Sequence, residues 1–159
     1  MKKLKLDLKP KNILIAFALV VLVGGLGVHV IKRGSDYKDG IYKVQGSEFD
    51  AQGWKPFLEV TFDKGEVTEV NFDHINKDDG SLKSENDFYN TLMMSKVGMN
   101  PKIFVKEFAI ELIIEQSPDE IDGVSGATHS ADEFKVLAER IFDKAKTGDT
   151  KSETINLNH

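Results

Sequence analysis

The sequence predicts an α+β protein in which a small antiparallel sheet packs against helices and follows one N-terminal transmembrane helix. Three observations predict this fold class. An apolar segment occupies residues 13–31, short runs of alternating apolar residues come after it, and helical patterns fill the second half of the chain. The length of 159 residues suits one domain with an appendage, because domains mostly contain between about 50 and 250 residues.

Residues 13–31 are interpreted as a membrane anchor. These 19 residues contain one titratable side chain, His29, and as a helix they would rise about 28 Å, close to the hydrocarbon thickness of about 30 Å. A cleaved signal peptide and a buried core helix are the alternatives. The apolar region of a signal peptide usually has only about 7–15 residues, and a core helix usually has a polar face. The chain has no cysteine, which excludes a lipid anchor on cysteine.

Charge is distributed unevenly on the two sides of this segment. Residues 1–12 contain five lysines and one acid, whereas residues 34–159 contain 14 basic and 25 acidic residues, a net charge of −11. The positive-inside rule therefore predicts that residues 1–12 form a cytoplasmic stub and that the acidic domain lies outside the cell. A domain with this net negative charge would repel the phosphates of nucleic acids, and nucleic-acid binding is therefore excluded.

Three strands are predicted at the start of the domain. Residues 40–44 and 57–62 alternate β-branched or aromatic residues with polar ones. A turn at residues 63–65 leads into a third strand, residues 67–72, whose alternation is imperfect. A polar loop at residues 76–81 follows, so the strands form a hairpin-based antiparallel sheet.

Two helices are predicted after the polar loop. A Ser84-x-x-Asp87 pattern is typical of a helix start, and Gly98 marks the end of this first helix. Asn100 and Pro101 predict the start of a second helix, because asparagine caps helices well and proline is tolerated in the first turn.

The second helix is expected to reach about residue 116, although residues 110–114 also fit a buried strand. Ser130-Ala-Asp-Glu133 has the form of a capping box and predicts a third helix with its apolar residues on one face. The composition after Lys146 is polar and without periodicity. Residues 147–159 are therefore expected to form a disordered tail.

The loop before the third helix has features of a phosphate site. Gly126 and Ala127 are small enough for a ligand to approach the backbone, and Thr128 offers a hydroxyl two residues before the predicted N-cap. The amide groups at a helix start are unpaired and the helix dipole is positive there, which favours phosphate. The same residues also fit an ordinary loop-to-helix junction, so the short pattern alone leaves both interpretations open.

A longer pattern in this loop resembles a known family motif. Asp122-x-x-Ser125-Gly126-Ala127-Thr128 resembles the Asp-x-x-(Ser/Thr)-Gly-Ala-(Ser/Thr) flavinylation motif of the FMN-binding domain family. That family includes the flavin-carrying subunits of sodium-pumping and Rnf-type respiratory complexes and extracellular flavoproteins of Gram-positive bacteria. Residues 37–42 and 65–70 also look like the family's opening and second strand, so the similarity covers residues 36–146.

The resemblance implies a covalent FMN, linked by a phosphoester to the hydroxyl of Thr128. A separate flavin transferase that uses FAD and a divalent metal would make this bond, with AMP as the leaving group, and Thr128 would be an attachment point without a catalytic duty. The neighbouring residues that would shape the turn and offer hydrogen bonds to the phosphate are Ser125, Gly126 and Ala127. Asp122 would order the loop or be recognised by the transferase, since a carboxylate beside a phosphate is unfavourable. Its alternative is an ordinary turn residue.

Other candidate residues have structural alternatives. His129 could donate to the FMN phosphate or be an exposed loop histidine. Four side chains could stack on the flavin ring or belong to the core: Trp54, Tyr89, Met93 and Met94. The histidines are scattered without metal-ligand spacing, so no metal site is predicted.

The sequence therefore predicts a membrane-anchored extracellular flavoprotein that acts in electron transfer. A carrier is favoured over a self-sufficient oxidoreductase, because no nicotinamide site, substrate site or catalytic residue is indicated. Its expected partners are the flavin transferase, a membrane quinone or NADH dehydrogenase-type electron donor, and membrane lipid around the N-terminal helix. The alternatives are a flavin-free membrane-anchored binding or structural module of the same fold, and a soluble reductase released by signal cleavage.

Overall fold

The structure is a computed structural model, and it describes residues 36–157. The predicted stub, residues 1–12, and the predicted anchor, residues 13–31, lie outside the described residues. Among residues 36–157 the structure has no helix whose length and hydropathy would allow it to cross a membrane.

The sheet has four strands in the spatial order β3-β2-β1-β4. The strands are β1 (Gly40–Gly46), β2 (Trp54–Asp63), β3 (Glu66–Asn76) and β4 (Glu153–Ile155). The first three are antiparallel, which confirms the predicted sheet. A register shift between Thr61 and Phe62 interrupts the pairing of β2 with β3 and accounts for the imperfect alternation of the third strand.

Strand β4 corrects the expectation of a disordered tail. It pairs in parallel with β1, with Val44 opposite Glu153 and Gly46 opposite Ile155, so the sheet is mixed and not purely antiparallel. Ile155 and Leu157 also pack against the core. The polar composition misled the prediction because this short strand pairs through its backbone and contains one apolar residue, Ile155.

Three α-helices complete the domain: α1 (Asp87–Val97), α2 (Pro101–Glu115) and α3 (Thr128–Thr147). Two 3₁₀ turns, Lys83–Glu85 and Pro118–Glu120, precede α1 and α3. Asn100 caps α2 and Gly98 ends α1 in the left-handed conformation, as predicted. Helix α2 continues to Glu115, so the alternative of a strand at residues 110–114 is wrong.

Two predicted caps are wrong. The side chain of Asn86, not of Ser84, caps α1 by accepting a hydrogen bond from the Tyr89 amide. Ser130 and Glu133 do not form a capping box, because α3 begins earlier, at Thr128, and both side chains are buried within its first two turns. In each case a tertiary contact takes the polar side chain that the local pattern assigned to a cap.

The core lies between the sheet and helices α2 and α3. Phe72 of β3 meets Phe108 of α2 at 6.0 Å and Phe134 of α3 at 5.0 Å between ring centroids, and the two helix rings are stacked at 5.3 Å. These three side chains are buried. Burying large aromatic side chains stabilises such a core strongly, and these contacts join α3 to α2 and to β3.

Candidate functional site

Thr128 is the first residue of α3 and is exposed. Ala127 precedes it and gives the helix no side-chain cap, whereas Asn86 and Asn100 cap α1 and α2. The first N–H groups of a helix have no intrahelical partner, and the positive end of the dipole lies there. The start of α3 can therefore receive an anion beside the Thr128 hydroxyl.

Gly126 lets the loop before α3 pack closely against the connection between α1 and α2. Its φ is +85°, and a Cβ atom at this position would lie 3.2 Å from the Val97 carbonyl oxygen and 3.2 Å from the Met99 Cβ. Both the left-handed backbone and the close contact make a side chain at this position unfavourable. The glycine of the predicted motif thus fixes where Thr128 stands.

Thr128 lies on the boundary of two clefts. The larger, of about 410 Å³, is called the aromatic cleft here and is lined by Lys83, Tyr89, Met93 and Phe104 together with residues 50–52 and 126–130. Its volume falls within the range of about 300–1,000 Å³ that is typical of small-molecule sites. A smaller cleft of about 270 Å³, called the outer cleft here, also has Thr128 in its lining.

The outer cleft contains the remaining motif residues. It is lined by Asp122, Ser125, Asp132 and Lys135, among others. The Asp122 amide donates a hydrogen bond to Glu111 at 2.8 Å, while its carboxylate accepts none from the residues that the structure describes. The side chain of Asp122 is therefore exposed at the loop surface, and its backbone, not its carboxylate, joins the loop to α2.

Lys83 is the basic side chain of the aromatic cleft. It is only 6% exposed, and its Nζ lies 5.2 Å from the centroid of the Tyr89 ring and 5.8 Å from that of Trp54. Burial lowers the pKa of Lys83, and the carboxylates of Asp50, Glu133 and Asp73 oppose that shift. The sequence pattern did not indicate Lys83, because a lysine that follows a polar loop is usually exposed.

Buried hydrogen bonds hold the backbone around Lys83. The Asn90 side-chain nitrogen lies 2.9 Å from the Ser84 carbonyl, 2.8 Å from that of Asn86 and 3.4 Å from that of Lys83. Asp73 accepts hydrogen bonds from the Ser84 amide and hydroxyl. Because both Asn90 and Asp73 are buried, the 3₁₀ turn that carries Lys83 is fixed in place.

Two histidines meet on one buried glutamate beside the site. His74 Nε2 lies 2.8 Å from Glu133 Oε2, and His129 Nε2 lies 3.5 Å from Glu133 Oε1. His74 is buried and His129 is exposed. The two histidines are far apart in sequence and share this glutamate only in the folded domain. Within residues 36–157 no group of three or more histidine and acidic side chains could hold a metal ion.

The four residues predicted to stack on the flavin ring or to belong to the core lie in different parts of the structure. Tyr89 and Met93 line the aromatic cleft. Trp54 is buried behind Tyr89, with the two ring centroids 6.4 Å apart, and Met94 is not among the cleft residues. The structure therefore brings Thr128, His129, Tyr89 and Met93 together and assigns Trp54 to packing.

An uncapped helix start next to an aromatic cleft defines a domain that can hold an anionic cofactor with a ring system. A model of the FMN-binding domain family matches residues 53–143, more than half of the chain. The chain belongs to the FMN-binding domain family. Membership indicates a flavoprotein with FMN as its cofactor.

Two similar proteins support the assignment. The chain is 33% identical over 137 residues to the "15 kDa lipoprotein" of Treponema pallidum (strain Nichols), which covers 86% of this chain and 92% of that protein. It is also similar to the crystal structure of the CPE2226 protein from Clostridium perfringens, with a TM-score of 0.74 and 33% identity over 77% of this chain and 99% of that one.

Proposed function

We propose that this protein carries one FMN as a phosphoester on the Thr128 hydroxyl and transfers electrons at the outer surface of a membrane. The observation that carries the proposal is the position of Thr128: its exposed side chain stands at the uncapped start of α3, on the edge of the aromatic cleft. A phosphate on this oxygen would lie against the amides of the first helical turn. The ring system would have the aromatic cleft beside it.

The residues of the aromatic cleft suit a flavin. Tyr89 and Met93 offer apolar and aromatic surface to a planar ring, while Ser125 and the amides at the start of α3 suit the phosphate. FMN supplies the redox chemistry when it is bound, so the protein only has to bind and orient it. His129 stands next to Thr128 and can donate a hydrogen bond to an anion there.

The outer cleft suits recognition by the flavin transferase. It exposes Asp122 and Ser125 near Thr128, and neither residue lines the aromatic cleft. A modifying enzyme could reach the hydroxyl of Thr128 from the outer cleft while the flavin enters the aromatic cleft. The exposed carboxylate of Asp122 favours recognition by the transferase over a role in ordering the loop.

We also propose that residues 13–31 anchor the chain and hold the domain outside the cell. A relative is named a lipoprotein, which points to membrane association in the family. This chain has no cysteine for a lipid, so an apolar helix would serve instead. Outside the cell free FMN would be dilute, and a covalent tether keeps the cofactor at high local concentration. A membrane quinone or NADH dehydrogenase-type system would supply the electrons.

An intact mass measurement tests the covalent link. The full chain is co-expressed with a flavin transferase, and the attached FMN should add about 440 Da, from the formula of the cofactor less one water. Thr128→Ala should remain unmodified, whereas Thr128→Ser keeps a hydroxyl at the same place and should be modified. A wild-type chain without added mass would overturn the proposal and favour the flavin-free binding module.

A further inference from the structure

We propose that the Lys83 ammonium group is the charge partner of the flavin ring and stabilises its reduced, anionic form. This inference rests on the proposed function and assigns a role to a residue outside the motif. Lys83 would be a redox-tuning residue, because a positive charge beside the ring favours the state that carries negative charge.

The first support is that the ammonium group of Lys83, a buried residue, has no anionic partner at contact distance among the described residues. The residue is 94% buried, and its Nζ makes no hydrogen bond and no ion pair within 4.0 Å to the residues that the structure describes. The carboxylates of Asp50, Glu133 and Asp73 act on it only from a greater distance. Lys144 is the matched case, since it is 3% exposed but pairs with Asp149 at 3.0 Å and Glu153 at 3.3 Å. Because contact with an anion stabilises a partly desolvated cation, the Lys83 ammonium group can take an anionic partner from the aromatic cleft.

The second support is that this side chain lines the aromatic cleft. Lys83 shares the cleft with Thr128, Tyr89 and Met93, and Asn90 and Asp73 fix the turn that carries it. Preorganised charges of this kind stabilise developing charge well because they need no rearrangement. The lysine is therefore built into the site and is not an incidental surface group.

The location favours the ring over the phosphate. Thr128 is exposed at the edge of the cleft and has the helix amides beside it, whereas Lys83 is buried and lies over the rings of Tyr89 and Trp54. The ribityl chain of FMN separates phosphate from ring, so the buried end of the cleft suits the ring.

The charge balance gives the direction of the effect. An oxidised flavin ring is neutral, and uptake of two electrons and one proton leaves one negative charge on its pyrimidine part. Lys83 interacts more strongly with that anion than with the neutral ring. It should therefore raise the midpoint potential, and removing its charge should make the flavin harder to reduce.

The test is a redox titration of the FMN-loaded full chain with dithionite as the reductant. Lys83→Met should weaken the preference for the reduced form tenfold or more, which for a two-electron couple is a potential lower by about 30 mV. Lys83→Arg keeps the charge and should stay near the wild type. Lys96→Met removes an equal charge from an exposed position of α1 and should leave the potential unchanged.

Two results would overturn the inference. One is a Lys83→Met potential equal to that of Lys96→Met, which is also the result expected if Lys83 binds the phosphate. The other is measured on the wild-type chain, so it does not depend on how well a variant folds. Nuclear magnetic resonance should show a higher pKa of the Lys83 ammonium group when the flavin is reduced than when it is oxidised, and an unchanged pKa would contradict the proposal.

The proposed covalent link can fail separately, because intact mass reports it before any titration. Should no FMN be attached, the same variants are titrated with free FMN in both redox states. Lys83→Met should then lose affinity mainly for the reduced form. An equal ratio of the two affinities in wild type and variant, or no binding of FMN, would overturn the role of Lys83.

Discussion

Gly80 and Gly126 both have a left-handed backbone, and comparing them separates two costs of an alanine substitution: the cost of the backbone conformation and the cost of close contacts. Gly80 has φ +72°, and a Cβ added there would meet nothing within 4 Å, whereas a Cβ on Gly126, at φ +85°, would meet the Val97 carbonyl and Met99 at 3.2 Å. Alanine at either site is destabilising by about 1–2 kcal/mol because of the left-handed backbone. Only at Gly126 must the neighbouring backbone also move.

Gly126→Ala should therefore destabilise the protein more than Gly80→Ala does. We expect a loss of about 1–2 kcal/mol in the free energy of unfolding for Gly80→Ala and a further loss of about 1–3 kcal/mol for Gly126→Ala, measured by urea unfolding. Gly126→Ala should also reduce FMN attachment, because the displaced loop carries Thr128. Equal destabilisation by the two changes would show that the contact with Val97 can relax freely.

At the scale of elements, strand β4 is tied to helix α3 by charged groups. The Arg140 Nε and Nη2 lie 2.9 Å and 2.8 Å from Glu153 Oε1, and Lys144 Nζ lies 3.3 Å from Glu153 Oε2. The hydrogen bond from Arg140 is the main cause that holds the pKa of Glu153 below its ordinary value of 4.5. Ion pairing thus contributes stability to this short strand, which has few apolar side chains to bury.

The stability that Glu153 contributes should depend on pH. A carboxyl group whose pKa is lower in the folded state stabilises the fold above its unfolded pKa, and the contribution is lost as the pH falls through the folded value. Glu153→Gln should cost about 0.5–1 kcal/mol at pH 7, since Arg140 is partly exposed and solvent screens the pair. The difference from wild type in urea unfolding should shrink below about pH 4.5.

A suitable control for this experiment is Glu48→Gln, which changes an exposed carboxylate that forms no ion pair among the described residues. It should leave the stability nearly unchanged across the same pH range. If the cost of Glu153→Gln were constant from pH 7 to pH 3, its carboxylate charge would not be what stabilises β4.

At the scale of the whole molecule, the features that the sequence predicted correctly are those that depend on residues close together in sequence. The hairpin of β2 and β3, the Asn100–Pro101 helix start and the Gly98 helix end each follow from a few adjacent side chains. The attachment role that the motif gives to Thr128 stays a prediction. By contrast, the paired residues His74 and Glu133 are 59 residues apart in sequence. No local pattern indicates that the Glu133 side chain contacts His74 of β3 and does not cap a helix.

The same reason explains why Lys83 could not be predicted. Its burial depends on Tyr89 of α1, on Trp54 of β2 and on the loop before α3, which come together only in the folded domain. Residue type alone predicts an exposed lysine. Strand β4 was missed because its pairing with β1 uses backbone groups, which every residue has. Tertiary contact, not local propensity, determines these parts of the site and of the sheet.

The charge distribution of the chain leads to a prediction about the proposed anchor. Five lysines precede residues 13–31, and the domain that follows has a net charge of −11 from residue 34 onward, so the N-terminus should stay in the cytoplasm. The full chain should remain in the membrane fraction after a carbonate wash, and its domain should be open to protease from outside the cell.

A pair of substitutions in the middle of the apolar segment tests this directly. Changing Val20 and Val21 to arginine should release the chain from the membrane fraction, because each arginine at a helix centre costs about 2.5–3.5 kcal/mol on insertion. Changing both to leucine keeps the segment apolar and should leave the chain in the membrane. Wild-type protein that begins near Val28, or that is washed off by carbonate, would identify the segment as a cleaved signal and leave the flavin domain as a released protein.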